Sequence, residues 1–185
     1  MVNARDRLRM IIRTKSISYG DFVLASGKKS NIYIDIKRIS LLSDAIMYIS
    51  SIICDIIEKE FPDALNIGGM ELGAVPIVSG VSFEMGRRGK LVNGFIVRKN
   101  KKEHGISKWL DGAYDNKSPS VIVEDVITTG KTVMDAVKRT EEEGLNVKGI
   151  ISVVDREEGG KEFIEKNGYP LISIFKISEL IVGQQ

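Results

Sequence analysis

Two adjacent acids, Glu124 and Asp125, stand between an apolar run and a loop of small and polar residues. The run at 121–123 is short enough for a buried strand, and the loop at 126–132 carries three threonine hydroxyls before a helical pattern begins. The N–H groups of such a loop, together with the partial positive charge of the helix N-terminus behind it, form a cradle for an anion. Carboxylates would repel the anion itself, but they can accept hydrogen bonds from sugar hydroxyls beside it. We therefore predict that this stretch binds a phosphorylated sugar.

Two other interpretations of the same stretch are weaker. Residues 130–132, Gly-Lys-Thr, match the end of a Walker A loop, but that motif needs a glycine at the position of Asp125. An ordinary strand–loop–helix turn with a capping threonine also fits the pattern. It leaves the paired acids without a role, although neighbouring like charges cost stability. The sugar-phosphate site explains both the loop and the acids.

A strongly basic stretch at 98–112 is the second candidate for chemistry. It contains five lysine and arginine side chains and the only histidine and tryptophan of the chain, His104 and Trp109. Such a run is often just a solvated surface loop. The lack of a second histidine or a nearby cysteine in the sequence argues against a zinc site at His104.

Two further loops follow apolar segments and precede helical patterns. The first contains Gly68, Gly69 and Gly73, which permit close approach of the backbone to a ligand and make a second anion-binding loop at a helix N-terminus. Arg156 ends the apolar run 147–155, at the carboxyl end of a predicted strand, where open α/β sheets bind their ligands. The simpler alternative for Arg156 is a surface arginine without a partner.

The remaining pattern predicts the elements that position these loops. Apolar residues recur at helical spacing, and the predicted helices cover 3 to about 15, 43–60, 74 to about 88, about 133 to 143, 157 to about 166 and 177–181. Short apolar runs predict strands near 65–67 and at 93–97, 121–123, 147–156 and 171–175. Because helices and strands alternate, we predict an α/β fold with a mostly parallel twisted sheet flanked by helices.

The N-terminal part departs from this alternation. Residues 19–37 contain two alternating strand patterns around the turn-like sequence Ser-Gly-Lys-Lys-Ser at 26–30, which predicts a β-hairpin. Its second strand would carry Tyr33, Asp35 and Lys37 on one face. A solvated edge-strand face is the simplest role for these three side chains.

Length, net charge and composition limit the number of domains, the partners and the compartment that we expect. We predict one domain over 1–185, with an N-terminal helix and hairpin at about 1–40 and the core at about 41–185. A net charge of +2 gives no reason to expect nucleic acid or a membrane surface as a partner. The sequence has no apolar run of about 18 residues, no apolar signal core near its charged N-terminus, and one cysteine, Cys54, on an apolar helical face. These features predict a cytoplasmic protein with Cys54 in its core.

These segments occur in the order found in the orotate phosphoribosyltransferase family of type I phosphoribosyltransferases. Residues 124–130, Glu-Asp-Val-Ile-Thr-Thr-Gly, resemble that family's signature for 5-phosphoribosyl 1-diphosphate (PRPP), and Arg-Lys-x-x-Lys-x-His-Gly at 98–105 is similar to its catalytic loop. The hairpin with Ser-Gly-x-x-Ser resembles the hood that covers the base, and Asp-Arg at 155–156 matches the pattern that binds the orotate carboxylate, which suits a guanidinium fork. The chain differs from many members at Ala25 and from some at Leu72, where those members have lysine.

The resemblance implies a reaction, a cofactor and an assembly. The family transfers the phosphoribosyl group of PRPP to orotate, giving orotidine 5′-phosphate and pyrophosphate in pyrimidine synthesis. It implies that Mg²⁺ is carried by the pyrophosphate and the sugar hydroxyls without a direct protein ligand, in line with the few protein ligands that Mg²⁺ uses. It also implies a homodimer in which the basic loop reaches the neighbouring subunit's site.

The resemblance further implies roles for individual residues. The catalytic residues would be Lys102, His104 and Asp125. The cations of the basic stretch would stabilise the negative charge on the departing pyrophosphate, and this loop would close over the substrate and exclude water. The largest set lies in the basic stretch and at the acidic strand end and would bind PRPP: Arg98, Lys99, Lys102, His104, Glu124, Asp125, Val126, Ile127, Thr128, Thr129, Gly130, Lys131 and Thr132. The pyrophosphate loop would consist of Gly69, Met70, Glu71, Leu72 and Gly73. Orotate would contact Tyr33, Thr128 and Arg156.

Two other functions fit parts of the sequence. A purine phosphoribosyltransferase would share the segment 121–132, but it has no reason to contain Arg-Lys-x-x-Lys-x-His-Gly. A non-catalytic regulator that senses PRPP would bind nucleic acid, and the near-neutral net charge argues against that. Transfer to orotate is therefore the function that the sequence predicts.

Overall fold

A computed structural model describes residues 3–23, 29–101 and 108–181. The helices are α1 Ala4–Lys15, α2 Lys37–Ser40, α3 Ser43–Glu60, α4 Ala74–Arg87, α5 Lys131–Glu142, α6 Gly160–Lys166 and α7 Ile177–Ile181. The strands are β1 Ile17–Val23, β2 Lys29–Ile34, β3 Asn66–Met70, β4 Asn93–Val97, β5 Leu110–Gly112, β6 Pro119–Ile127, β7 Asn146–Asp155 and β8 Leu171–Lys176. Each predicted element corresponds to one of these, whereas α2 and β5 are additional. Within the three described ranges, no helix is both long and apolar enough to cross a bilayer.

Six strands form one sheet in the order β5-β4-β3-β6-β7-β8. Neighbouring strands run parallel except for β5, which pairs antiparallel with β4. The chain moves outward from β3 to β5 and then returns to β6 on the other side of β3, so the direction of winding reverses between β3 and β6. Ligands of open α/β sheets bind at such a reversal, outside the carboxyl ends of the strands. The predicted α/β class, with a mostly parallel sheet flanked by helices, is confirmed.

Both faces of the sheet are covered by helices. On β6, Val121 and Val123 belong to an apolar cluster shared with α3 and α4, whereas Ile122 between them belongs to a second cluster shared with α5. Because successive strand residues point to opposite faces, the unbroken apolar run gives β6 a buried surface on each side. Cys54 lies in the first cluster and is fully buried, as predicted. The core is therefore built on the same strands that carry the predicted site at their ends.

The N-terminal hairpin is a separate antiparallel sheet made of β1 and β2. The predicted second strand is wrong beyond Ile34, because Lys37 begins α2 rather than continuing the strand. The cause is Asp35, whose Oδ1 accepts the N–H of Lys37 at 3.1 Å and turns the chain into that helix. Residues 24–28, which include Ala25 and most of the predicted turn, lie outside the described residues.

Candidate active site

The two acids lie at the carboxyl end of β6, beside the reversal in the sheet. Glu124 is 6% exposed, and its Oε1 accepts the N–H of Asp125 at 3.1 Å. Its Oε2 is buried and accepts no hydrogen bond from any residue in the described ranges. Burial raises the pKa of Glu124 well above its ordinary value, and the adjacent charge of Asp125 adds to this effect. The second oxygen of Glu124 is therefore a position that a ligand hydroxyl can satisfy.

Asp125 is half-buried. It faces residues 69–73 at the end of β3, the glycine loop. Its Oδ1 accepts the N–H of Val126 at 2.8 Å. A Cβ added to Gly73 would lie 2.5 Å from Asp125 Oδ2, so the backbone of the loop touches this carboxylate. Gly69 packs in the same way against the carbonyl oxygen of Val123, which an added Cβ would approach to 2.4 Å. The structure thus brings together the two loops that the sequence singled out.

The loop between β6 and α5 ends in Gly130, which has a left-handed conformation with a φ of 79°. This glycine caps α5, and no side chain forms a capping hydrogen bond in the described structure. The N–H groups of the first helical turn therefore have no internal competitor for an anion. Gly160 supports the loop from behind, since a Cβ added there would lie 2.4 Å from the carbonyl oxygen of Thr128. Of the other predicted PRPP residues here, Val126, Thr128 and Thr129 are half-buried, Ile127 is buried, and Lys131 and Thr132 are exposed.

The glycine loop also contacts the start of the basic stretch. Met70 is buried at the end of β3, whereas Leu72 is 69% exposed. Between them, Glu71 donates its N–H to the carbonyl oxygen of Val97 at 3.0 Å, and its Oε1 accepts the N–H of Lys99 at 2.6 Å. These two bonds hold the loop against the point where β4 passes into the basic stretch.

Both ends of the basic stretch rest on α5. Arg139 of this helix donates to the carbonyl oxygens of Arg98 and Lys99 at 2.6 and 2.9 Å. Its guanidinium carbon lies 4.3 Å from the centre of the Trp109 ring, and the indole N–H donates to Glu142 at 2.7 Å. Because α5 also begins at the predicted sugar-phosphate loop, one helix connects the two stretches. Neither Arg139 nor Trp109 was assigned a role from the sequence.

Two of the predicted basic site residues are described and two are not. Arg98 donates to Asp111 on β5 at 2.6 Å, and Lys99 is held through its backbone N–H. Lys102 and His104 lie outside the described residues, and their roles stay predictions.

Arg156 contacts the hairpin at the end of β7. Its Nε pairs with Glu158 Oε1 at 2.8 Å, and its Nη2 lies 3.4 Å from both Ser30 Oγ and the carbonyl oxygen of Ile32. The side chain is 9% exposed, so the alternative of a surface arginine without a partner is wrong. Tyr33 follows Ile32 on the hairpin and is 41% exposed. Two of the predicted orotate residues, Tyr33 and Arg156, therefore lie on contacting parts of the fold.

Lys37 is a site residue that sequence reasoning did not assign. Its Nζ lies 2.9 Å from Asp35 Oδ1 and 3.6 Å from Asp125 Oδ2, so the alternative of a strand face that contacts only solvent is wrong for Asp35 and Lys37. The partners come from distant parts of the chain, and no local spacing pairs them. The Asp-x-Lys sequence at 35–37 is the one local signal of the turn that brings this lysine inward.

Two relatives match this chain along nearly its whole length. The orotate phosphoribosyltransferase of Aquifex aeolicus is 39% identical over 180 residues, which cover 96% of this chain and 97% of that protein. This chain belongs to the orotate phosphoribosyltransferase family. The family member of Pyrococcus horikoshii is 43% identical over 178 residues, which cover 94% of this chain and 90% of that protein. No family model matches the chain.

A solved structure of a family member matches the fold as well. The orotate phosphoribosyltransferase of Mycobacterium tuberculosis H37Rv in complex with PRPP aligns with a TM-score of 0.80 and 28% identity. The alignment covers 96% of this chain and 99% of that one. The predicted family and its fold are confirmed.

Proposed function

We propose that this chain transfers the phosphoribosyl group of PRPP to orotate, producing orotidine 5′-phosphate and pyrophosphate in de novo pyrimidine synthesis. One observation carries the proposal: the acids near the carboxyl end of β6, the glycine loop beside them and Arg156 under the hairpin all lie at the carboxyl edge of one sheet. These features suit the ribose, the phosphates and the carboxylate of the two substrates, respectively. Family membership supports the same reaction.

The acid pair would bind the ribose of PRPP. Glu124 is buried with one oxygen unsatisfied, so a ribose hydroxyl placed there removes an unfavourable feature of the free protein. Asp125 would accept a second hydroxyl. The loop at 126–132 and the N-terminus of α5 would bind the 5′-phosphate, and the glycine loop at 69–73 would bind the pyrophosphate.

Arg156, Tyr33 and Thr128 would bind orotate. The guanidinium of Arg156 offers paired donors to the planar carboxylate of the base. Glu158 already pairs with Arg156 at 2.8 Å, so the substrate carboxylate would share or replace that partner. The exposed ring of Tyr33 is available to stack on the base.

The reaction needs no nucleophile from the protein. The bond between the C1 atom of the ribose and the pyrophosphate oxygen breaks, a bond forms between C1 and N1 of orotate, and the proton on N1 passes to the departing pyrophosphate or to water. Positive charge develops on the sugar as the pyrophosphate departs, and carboxylates beside the ribose favour that charge. Lys102 and His104 are proposed to stabilise the departing pyrophosphate, with Arg98 and Lys99 at the start of the same stretch.

We propose that Mg²⁺ enters with PRPP. Among the described residues, no three carboxylate, imidazole or thiol groups lie together as a metal site of their own. The donors present therefore fit an ion whose ligands are mainly pyrophosphate and ribose oxygens. When bound, the ion would neutralise part of the pyrophosphate charge, while Glu124 and Asp125 act on the hydroxyls.

We further propose a cytoplasmic homodimer whose basic loop serves the neighbouring subunit's site, with no nucleic acid or membrane partner. Three apolar side chains support a contact between two chains, since Leu41, Leu72 and Phe83 are 79, 69 and 74% exposed and line one groove between α2 and α4. Exposed apolar patches of this kind mark protein interfaces. Analytical ultracentrifugation of the wild type and of Phe83→Ser tests this assembly.

The proposed reaction is tested by mixing the protein with orotate, PRPP and Mg²⁺ and following the loss of orotate absorbance. Lys102→Ala should abolish most turnover. The matched control is Lys101→Ala, which removes a neighbouring cation whose Nζ lies 5.0 Å from the centre of the Trp109 ring. Turnover of uracil or a purine instead of orotate would retain the fold and refute the base. No turnover with any base, together with an electrophoretic shift of nucleic acid, would favour a PRPP-sensing regulator.

A further inference from the structure

The side chain of Lys37 joins the hairpin segment to the acid pair. Its Nζ lies 2.9 Å from Asp35 Oδ1 and 3.6 Å from Asp125 Oδ2. Asp35 follows β2 directly and Lys37 begins α2, so both belong to the segment that leaves the hairpin. Asp125 belongs to the central sheet. The lysine therefore bridges two parts of the fold that are far apart in the sequence.

The surroundings keep this lysine charged and reachable. Burial alone would lower the pKa of Lys37, but the hydrogen bond with Asp35 and the charge of Asp125 outweigh it and raise the pKa above its ordinary value. The Lys37 side chain is 47% exposed, whereas that of Asp125 is 13% exposed. The ammonium can thus contact a ligand while the carboxylate it faces remains enclosed.

Lys37 also lies next to the glycine loop. The backbone of Gly73 touches the same Asp125 oxygen that Lys37 approaches. A ligand whose sugar reaches Asp125 and whose phosphates reach this loop would pass beside the ammonium. Without that cation, the Asp125 carboxylate would face a strongly anionic ligand, and like charges repel at this range.

We propose that Lys37 is a positioning residue for PRPP, whose ammonium offsets the charge of Asp125 so that this acid can bind the ribose of an anionic ligand. The identity of the ligand rests on the proposed function. A plain mechanical tether of the hairpin is the competing role. A tether would act mainly on orotate, because the hairpin contacts Arg156, whereas a charge offset acts on PRPP.

The test compares Lys37→Met and Lys37→Arg with Lys59→Met, which changes an exposed lysine of α3. PRPP binding with Mg²⁺ is measured by titration calorimetry without orotate, and KM and kcat are measured for both substrates. We expect Lys37→Met to weaken PRPP binding about tenfold, or about 1.4 kcal/mol, with the KM of orotate changed less than about twofold. Lys37→Arg retains the charge and should recover most of the affinity, and Lys59→Met should match the wild type.

Asp35→Asn distinguishes a charge offset by Lys37 from a mechanical tether of the hairpin. It breaks the ion pair with Lys37, retains an acceptor for the Lys37 N–H and removes a negative charge, so we expect PRPP to bind at least as tightly as to the wild type. Unchanged PRPP binding in Lys37→Met, or equal losses in Lys37→Met and Asp35→Asn, would overturn the proposal. A wild type that binds PRPP but converts no base refutes the proposed function alone, and this binding test still decides the role of Lys37. A wild type that binds no PRPP overturns both.

Discussion

Replacing Gly73 by alanine tests whether the glycine loop and Asp125 form one site. Gly73 has φ of −61° and ψ of −36°, a conformation open to any residue, so the change brings no backbone strain. The added Cβ would lie 2.5, 2.6 and 2.8 Å from Oδ2, Cγ and Oδ1 of Asp125. Contacts this short cannot persist, so the carboxylate must move away from the loop.

The size of the effect follows from what Asp125 loses when it moves. Its bond from the N–H of Val126 at 2.8 Å weakens, and its approach to Lys37 changes. Overpacking of this kind costs roughly 1–3 kcal/mol of unfolding free energy, and a shift of about 1 Å in a binding group can lower activity roughly a hundredfold. We therefore expect Gly73→Ala to lower kcat/KM for PRPP by about two orders of magnitude and Tm by roughly 2–4 °C for each kcal/mol lost.

Urea unfolding and steady-state kinetics measure these two effects. Gly86→Ala is the matched control. Gly86 lies in α4, the helix that Gly73 precedes, and an added Cβ would meet nothing within 4 Å. Alanine there should stabilise the helix by about 0.5–1 kcal/mol. In an Asp125→Ala background the clash is gone, so Gly73→Ala should cost no further stability. A normal kcat/KM in Gly73→Ala, or an equal stability loss with and without Asp125, would show that the glycine loop and Asp125 do not form one site.

Three other changes probe the charges of the fold. Because burial raises the pKa of Glu124, wild-type stability should fall as pH rises from 4.5 through the folded-state pKa, and Glu124→Gln should remove that fall in urea unfolding while weakening PRPP binding. Arg87 and Arg88 lower the pKa of Glu84 from 4.5 to about 2, so its stabilisation is present above pH 4.5 and lost towards pH 2, and Glu84→Gln should flatten that acid limb. Arg156→Gln should raise the KM of orotate roughly 10–100-fold with PRPP binding unchanged, because hydrogen bonds to charged groups contribute about 1.5–3 kcal/mol. Unaltered pH profiles in the glutamate variants, or lost PRPP binding in Arg156→Gln, would contradict these assignments.

Local sequence patterns were sufficient to predict the loops and their common edge. The acids at 124–125 and the glycines at 69–73 each follow an apolar run, and parallel strands bring their carboxyl ends to one edge of a sheet. Their proximity therefore follows from the alternation of helices and strands. The contact between Gly73 and Asp125 does not, since it depends on how β3 and β6 are aligned, and no local spacing encodes that alignment.

Contacts between distant segments gave no local signal. The apolar alternation of Ile34 and Ile36 predicts a strand face for Lys37, whereas the turn formed by Asp35 decides its position. No motif in the sequence indicates the hydrogen bonds from Arg139 to the basic stretch either. Strand β5 has three residues, too few for alternation to show. The division of the chain at about residue 40 into an N-terminal part and a core stays a prediction.

A crystal structure of this chain with PRPP and Mg²⁺ would decide whether the two anion loops bind opposite ends of PRPP with the acid pair between them. We expect the 5′-phosphate on the N–H groups of 126–132, the ribose hydroxyls on Glu124 and Asp125, and the pyrophosphate on 69–73 beside Lys37. A 5′-phosphate on the glycine loop, or a ribose without contact to either acid, would contradict the claim.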